Sequence, residues 1–67
     1  MNLEVGKTYE TRNGSIVKIE HEKGDPYYPF FGKVLIGGVF DRIAYFSPGG
    51  HYNRMYESAF DIIREEI

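Results

Sequence analysis

The segment HYNRMY, residues 51–56, combines residue types that bind flat anionic ligands. Arginine pairs with phosphate groups, and tyrosine rings stack on nucleobases. If the segment is a strand, the alternation of its side chains places Tyr52, Arg54 and Tyr56 on one face. That face would suit a nucleotide or another small anion. The same pattern also describes an ordinary amphipathic strand whose arginine extends into water.

A second arginine lies before this segment, on the other side of a turn. SPGG, residues 47–50, is a turn signal, and a hairpin that pairs Phe46 with His51 would place Arg42 beside Arg54. Two neighbouring arginines can hold a pyrophosphate or a phosphorylated ligand. With one tyrosine added from the aromatic loop described next, the predicted ligand-binding residues are Arg42, Tyr52, Arg54, Tyr56 and Tyr28.

The loop GDPYYPFFG, residues 24–32, carries four aromatic rings within five positions. Neighbours in an extended stretch point to opposite sides, so these rings cannot all enter one small core. Three uses remain open: a lid on the core, a subunit interface and a platform for a ligand. We expect Phe31 in the core, and we predict that the interface residues are Tyr27, Tyr28 and Phe30.

Residue types that could support catalysis are sparse. Ser47 and His51 lie four residues apart, and Asp41 or Glu57 could orient the imidazole, but a turn serine and an exposed histidine are the favoured interpretation. The carboxylates near the C-terminus are interpreted as a solvated acidic tail: Asp61, Glu65 and Glu66. We predict no catalytic residue, no metal ligand and no cofactor, and therefore a protein that is not an enzyme.

The composition predicts one small domain, residues 1–67, that lacks a covalent staple. A chain of 67 residues with no cysteine has a small core and no disulfide, so self-association is the expected means of stabilisation. The formal net charge of -2 and the scattered cations argue against a nucleic-acid partner. No apolar run resembles a signal peptide or a membrane span, so we expect a protein of the cytoplasm.

Turn signals divide most of the chain into short strands. Asn13-Gly14 predicts a hairpin, and a three-residue loop, 12–14, pairs Tyr9 with Val17 and places Gly14 at a left-handed position. The strands FFGKVLI and VFDRIAYF follow, joined by a turn at Gly37-Gly38, and HYNRMY is expected as a further short strand. Gly32 inside a strand indicates a bulge or a bend.

The C-terminal segment has two interpretations. One is a helix that begins near Ser58. The other, which we favour, is a short 3₁₀ turn at Glu57–Ala59 followed by a closing strand, Phe60–Arg64. The turn spacing therefore predicts an all-β fold, a small barrel or a sandwich, with a short 3₁₀ turn near the C-terminus. Its predicted core consists of Tyr9, Val17, Ile19, Phe31, Val34, Ile36, Ile43, Tyr45 and Ile62.

The order of four motifs resembles a group of small phage-encoded β proteins. The motifs are GKTYETRNG, an aromatic-proline-glycine loop, AYFSPGGHY and ESAFDII. The residues that match the group's pattern are Gly6, Lys7, Tyr9, Thr11, Arg12, Gly14, Tyr28, Pro29, Gly32, Tyr45, Gly50, Tyr52, Glu57, Ser58, Asp61 and Ile62. The chain departs from the pattern at Tyr45 and Phe46, where the group has Trp-Thr, so a stacking contact made by that tryptophan would be altered here.

Together with the predicted strands, the resemblance implies an all-β fold that is a small five-stranded SH3-like barrel with a short 3₁₀ turn near the C-terminus. It also implies a phage accessory protein that acts in the cytoplasm of its host. Three functions follow as hypotheses. The first is a homo-oligomer that captures a small anionic ligand, such as a nucleotide immune signal, as a counter-defence. The second is a protein–protein inhibitor that binds a host enzyme or defence complex through the aromatic loop. The third is a small nucleic-acid-binding barrel, which would need a cationic face.

Overall fold

Five strands form one antiparallel sheet in the computed structural model, which describes residues 2–66. They are β1 Thr8–Thr11, β2 Ile16–Glu22, β3 Phe30–Ile36, β4 Val39–Phe46 and β5 Ile62–Glu65, in the spatial order β4-β3-β2-β1-β5. The all-β prediction is confirmed, as is a C-terminal strand, which spans Ile62–Glu65 rather than the predicted Phe60–Arg64 and lies at an edge of the sheet. Residues 2–66 contain no 3₁₀ helix, and a turn in which the Asp61 N–H donates to the Ser58 carbonyl at 3.1 Å precedes β5.

The first hairpin has the predicted register. Tyr9 pairs with Val17, and the Thr11 N–H donates to the Ser15 carbonyl at 2.9 Å, which leaves a three-residue loop. Gly14 has φ 86°, a left-handed conformation that favours glycine. The Tyr9 ring is buried, and its hydroxyl oxygen accepts a hydrogen bond from the Glu4 N–H at 2.9 Å, so its polar end is satisfied inside the fold.

The second hairpin has the predicted strand bounds but a different inward face. The core cluster is Leu3, Tyr9, Val17, Ile19, Phe30, Val34, Ala44, Phe46 and Ile62. The predicted core positions Phe31, Ile36, Ile43 and Tyr45 are therefore wrong. Ile36 lies at the end of the hairpin, beyond the core, and the other three face outward because the small residues Gly32 and Ala44 face inward, opposite each other.

Packing explains why small residues face the core at this point. A Cβ atom on Gly32 would lie 2.7 Å from Val17 Cγ1 and 3.3 Å from Ile19 Cδ1. The side chains of β2 thus fill the space that a larger residue on β3 would need. The register of β2 against β3 shifts between Ile19 and His21, so the bulge indicated by this glycine lies in the opposite strand.

Backbone pairing does not close the sheet, since β4 and β5 are its two edges. The segment 47–61 runs between these edges as turns and bends, so the predicted strand HYNRMY is wrong. Its ends are fixed by two backbone hydrogen bonds, from the Ser47 N–H to the His51 carbonyl at 2.9 Å and from the Ile62 N–H to the Gly50 carbonyl at 2.8 Å. No helix within residues 2–66 is long and apolar enough to cross a membrane.

Candidate functional site

One carboxylate shapes the aromatic loop. Asp25 Oδ1 accepts hydrogen bonds from the backbone N–H groups of Tyr27, at 2.8 Å, and Tyr28, at 2.7 Å. This is the local turn that Asp-Pro favours, because a short acidic side chain reaches the backbone two residues on. The hydrogen bonds from the Tyr28 and Tyr27 amides lower the pKa of Asp25 below its ordinary value of 3.8.

An open cleft of about 330 Å³ lies beside this turn, lined by Lys23, Asp25, Tyr28 and Tyr45. We call it the aromatic cleft. Its volume is at the lower end of the range for small-molecule sites, about 300–1,000 Å³. The Tyr45 ring meets the Phe31 ring edge-on at 5.5 Å, and Lys23 Nζ lies 5.5 Å from the centre of the same Phe31 ring.

Arg54 joins the segment 47–61 to the aromatic loop. Its guanidinium carbon lies 4.0 Å from the centre of the Tyr27 ring, a cation–π contact. Its backbone N–H donates to the Tyr28 hydroxyl at 3.0 Å. Arg54 is therefore held against two tyrosines, one of which lines the aromatic cleft.

The other predicted arginine belongs to a separate cluster. Arg42 Nε donates to Asp41 Oδ2 at 2.6 Å, and the guanidinium carbon lies 4.9 Å from the centre of the Phe60 ring. The hydrogen bond that Arg42 donates to Asp41 is the main cause that raises the pKa of Arg42, with a smaller contribution from Tyr52. Arg42 thus lies near Tyr52, and the hairpin that was predicted to place it beside Arg54 is absent.

Two further predicted residues have different places. Tyr56 is 71% exposed, and within residues 2–66 it makes no side-chain hydrogen bond or ring contact. Phe30, predicted at an interface, is only 6% exposed and belongs to the core, so it offers no surface to a partner. Lys23 and Tyr45 were missed as cleft residues. The available signal for Lys23 was a cation just before the aromatic loop, whereas the sequence offers none for Tyr45, whose outward direction depends on the packing of β2.

Asp61 holds the segment 47–61 in place, and its predicted role in a solvated acidic tail is wrong. It is buried rather than solvated, with Oδ1 accepting from the Tyr52 N–H and Oδ2 from the Ser58 N–H, each at 2.9 Å. Arg12 Nη2 lies 3.7 Å from Oδ2. The spacing Ser58-x-x-Asp61 was the available signal, and it marks a capped turn here rather than the start of a helix.

The pair Ser47 and His51 has the geometry of a turn. The Ser47 hydroxyl oxygen accepts from the His51 backbone N–H at 3.0 Å, and His51 Nδ1 is 3.9 Å from Asp61 Oδ2. Across residues 2–66 no three His, Asp or Glu side chains group closely enough to hold a metal ion. No protein-family model, curated protein or solved structure matches the chain. What it binds is therefore inferred from its own geometry.

Proposed function

We propose that the protein is a non-catalytic binding protein whose aromatic cleft holds a small anionic ligand with a planar ring, such as a nucleotide. One observation carries the proposal. The chain has eight Lys and Arg residues, and within residues 2–66 only Lys23 and Arg54 have no carboxylate oxygen within 4.0 Å. Lys23 lines the aromatic cleft and lies against the Phe31 ring. Arg54 lies against the Tyr27 ring, and its backbone N–H donates to the hydroxyl of Tyr28, which lines the cleft.

The two cations and the tyrosines supply complementary contacts. A lysine or arginine without a carboxylate partner is free to pair with phosphate, and a tyrosine face accepts a base by stacking. Asp25 also lines the cleft, but its Oδ1 is directed at the amides of Tyr27 and Tyr28. A ligand with its ring on Tyr28 or Tyr45 and its anionic group near Lys23 and Arg54 would use both kinds of contact.

The setting is part of the same proposal. The chain would act as a homo-oligomer in the cytoplasm of a bacterial host and remove a nucleotide signal of host defence, as its resemblance to small phage proteins implies. We also propose that its five strands are those of an SH3-like barrel in which the segment 47–61 spans the open side. This plan is supported by the strand number and by the hydrogen bond from Ile62 to Gly50.

Calorimetric titration with three probes, AMP, GTP and cyclic di-GMP, tests the proposal. At least one probe should bind, and Arg54→Gln should weaken that binding about tenfold or more, since a charge-assisted contact is worth about 1.5–3 kcal/mol. Arg64→Gln is the matched control, because Arg64 is exposed and pairs with Glu10 at the other side of the sheet. Native mass spectrometry of protein from infected cells would then give the mass of the natural ligand.

Two results would contradict the proposal. One is the absence of binding by all three probes together with no added mass on the protein from cells. The other is an equal effect of Arg54→Gln and Arg64→Gln, which would mean that the contact is not made at the aromatic cleft.

A second function, inhibition of a host enzyme or defence complex by direct contact, is favoured by the exposure of Tyr27, 52% of which is open to solvent. It predicts that Tyr27→Ala abolishes binding to the host protein whereas Arg54→Gln hardly changes it. The nucleic-acid hypothesis is the weakest of the three. Most of the cations have carboxylate partners, so they leave no broad cationic face for a phosphate backbone.

A further inference from the structure

The edge strand β4 exposes several large apolar side chains. Val39 is 69% exposed, Phe40 54% and Ile43 39%, and all three follow one another along the same strand. Within residues 2–66, β4 pairs only with β3, so its other side presents free backbone N–H and C=O groups. Such an edge is a template for another strand.

A bulge in β4 determines how a second strand can fit. Arg42 pairs with Val34 while Phe40 pairs with Leu35, which leaves Asp41 as the extra residue. A bulge on an edge normally obstructs pairing. Two identical bulges that face each other across a two-fold axis do not break the pairing. Each strand then contributes the same number of residues on either side of the axis, so the register before the bulge continues after it.

The bulge also puts residues of matching type on the same face. Phe40 and Ile43 both face outward, since their β3 partners Leu35 and Lys33 alternate with the buried Val34. Val39 and Ala44 pair with Ile36 and Gly32, the residues of β3 that lie on the inward side. The sequence of residue types along β4 is therefore nearly symmetric. Phe40 and Ile43 are the apolar pair on the outward face, Val39 and Ala44 are the pair on the inward face, and the opposite charges of Asp41 and Arg42 lie between them.

We propose that β4 is an interface between two copies of this chain, paired antiparallel about a two-fold axis that passes between Asp41 and Arg42. Phe40 of one copy lies opposite Ile43 of the other, and Val39 lies opposite Ala44. Asp41 lies opposite Arg42, so the two charges of each copy are matched by those of its neighbour. Moving the register by one residue would place Arg42 opposite Arg42, or Asp41 opposite Asp41, and like charges directly opposite are destabilising.

This pairing affects the aromatic cleft. In the same register, Tyr45 lies opposite Gly38, so the hairpin turn of the second copy reaches the wall of the cleft that Tyr45 forms. If the cleft holds the proposed ligand, the dimer encloses it further. The interface itself does not depend on that function, because its residues and charges would pair without any ligand.

Cysteine cross-linking tests the register directly, since the natural chain contains no cysteine. In the double variant Phe40→Cys with Ile43→Cys, each new thiol lies opposite the other type in the second copy, at about the 4.5–5.5 Å Cα separation of an antiparallel pair. That distance permits a disulfide. Within one chain the two positions are about 10 Å apart along the strand, too far for a disulfide. Mild oxidation should give a covalent dimer with two disulfides.

Three comparisons complete the experiment. No more than background cross-linking is expected from Phe40→Cys alone, from Ile43→Cys alone, or from Met55→Cys, since Met55 is exposed outside the sheet.

Charge reversal tests the same register by native mass spectrometry at micromolar concentration. The unmodified chain should be dimeric and Asp41→Arg should be monomeric. The double variant Asp41→Arg with Arg42→Asp should be dimeric again. A monomeric unmodified chain would overturn the proposal. So would a dimer in which the single variants cross-link as well as the double variant does.

Discussion

Asp25 positions two aromatic rings by holding the backbone between them. Its carboxylate accepts both the Tyr27 and the Tyr28 amide, so the two residues leave the turn in fixed directions. Tyr27 then lies under Arg54, and Tyr28 reaches the backbone of Arg54 with its hydroxyl. A single charged group therefore sets the geometry of the side chains on which the proposed ligand would stack.

The arrangement of the loop should depend on pH through Asp25. Its pKa is lower in the folded loop than the ordinary 3.8, so the stabilisation by its charge is complete above pH 3.8 and is lost as the pH falls through the lowered value. In amide NMR spectra, the Tyr27 and Tyr28 signals should shift together with a midpoint below 3.8. Asp25→Asn keeps an acceptor oxygen but does not titrate, so this shift should be absent.

A midpoint at or above 3.8 in the unmodified chain would contradict the role of these hydrogen bonds. The Val17 and Val34 amides serve as internal references, since both residues are buried in the sheet away from the turn.

At the scale of elements, the boundaries of β3 and β4 could be predicted. Which of their side chains point into the core could not. Gly37-Gly38 and the flanking β-prone runs define the hairpin from local chemistry alone. Which face points inward depends on the neighbouring strand, because Val17 and Ile19 of β2 fill the space above Gly32 and Ala44. The sequence therefore suggests the larger Ile43 and Tyr45 for a core that in fact takes the smaller residues.

The close approach at Gly32 predicts a destabilised variant. Gly32→Ala would place a methyl group 2.7 Å from Val17 Cγ1, and overpacking of this kind lowers the free energy of unfolding by about 1–3 kcal/mol. Gly24→Ala is the matched control, because no atom lies within 4 Å of its new Cβ, and its effect should stay within about 0.5 kcal/mol. Urea unfolding of the two variants measures the difference, and equal midpoints would contradict this account of the core.

The candidate site could be predicted only in part, for a related reason. Tyr28 and Arg54 follow from residue type, and the backbone N–H of Arg54 does donate to the Tyr28 hydroxyl. The strand assumed for residues 51–56 is absent because the backbone amides of Tyr52 and Ser58 bond to Asp61 instead of to a neighbouring strand. Alternation of the side chains, on which the grouping with Tyr56 was based, has no meaning in such a segment.

At the scale of the whole molecule, the segment 47–61 connects the two open edges of the sheet. Tyr52 contacts the Phe46 ring of β4 at 6.2 Å and the Phe60 ring at 5.3 Å, and Ile62 of β5 belongs to the same buried cluster as Phe46. The Leu3 N–H donates to the Pro48 carbonyl at 3.0 Å, which ties the N-terminal segment to the same region. The irregular segment 47–61 therefore covers the small core and contacts both the N-terminal segment and the C-terminal strand.

Removal of the Asp61 carboxylate should consequently lower the stability of the whole molecule and not only that of one segment. Asp61→Ala leaves the Tyr52 and Ser58 amides without their acceptor and Arg12 without its carboxylate partner, and we expect the free energy of unfolding to fall by about 2–4 kcal/mol. Glu57→Ala, at an exposed position of the same segment, should change it by less than about 0.5 kcal/mol.

Hydrogen exchange separates a global from a local effect of Asp61→Ala. If the segment 47–61 is part of the single cooperative unit, the protection factors of the β2 and β3 amides should fall. The fall should equal the fold-change in the equilibrium constant of global unfolding. Faster exchange confined to residues 51–60, with an unchanged unfolding midpoint, would instead show a cover that opens independently of the sheet. The first result is expected, because the Ile62 N–H bonded to Gly50 and the rings around Tyr52 join the segment directly to the buried cluster.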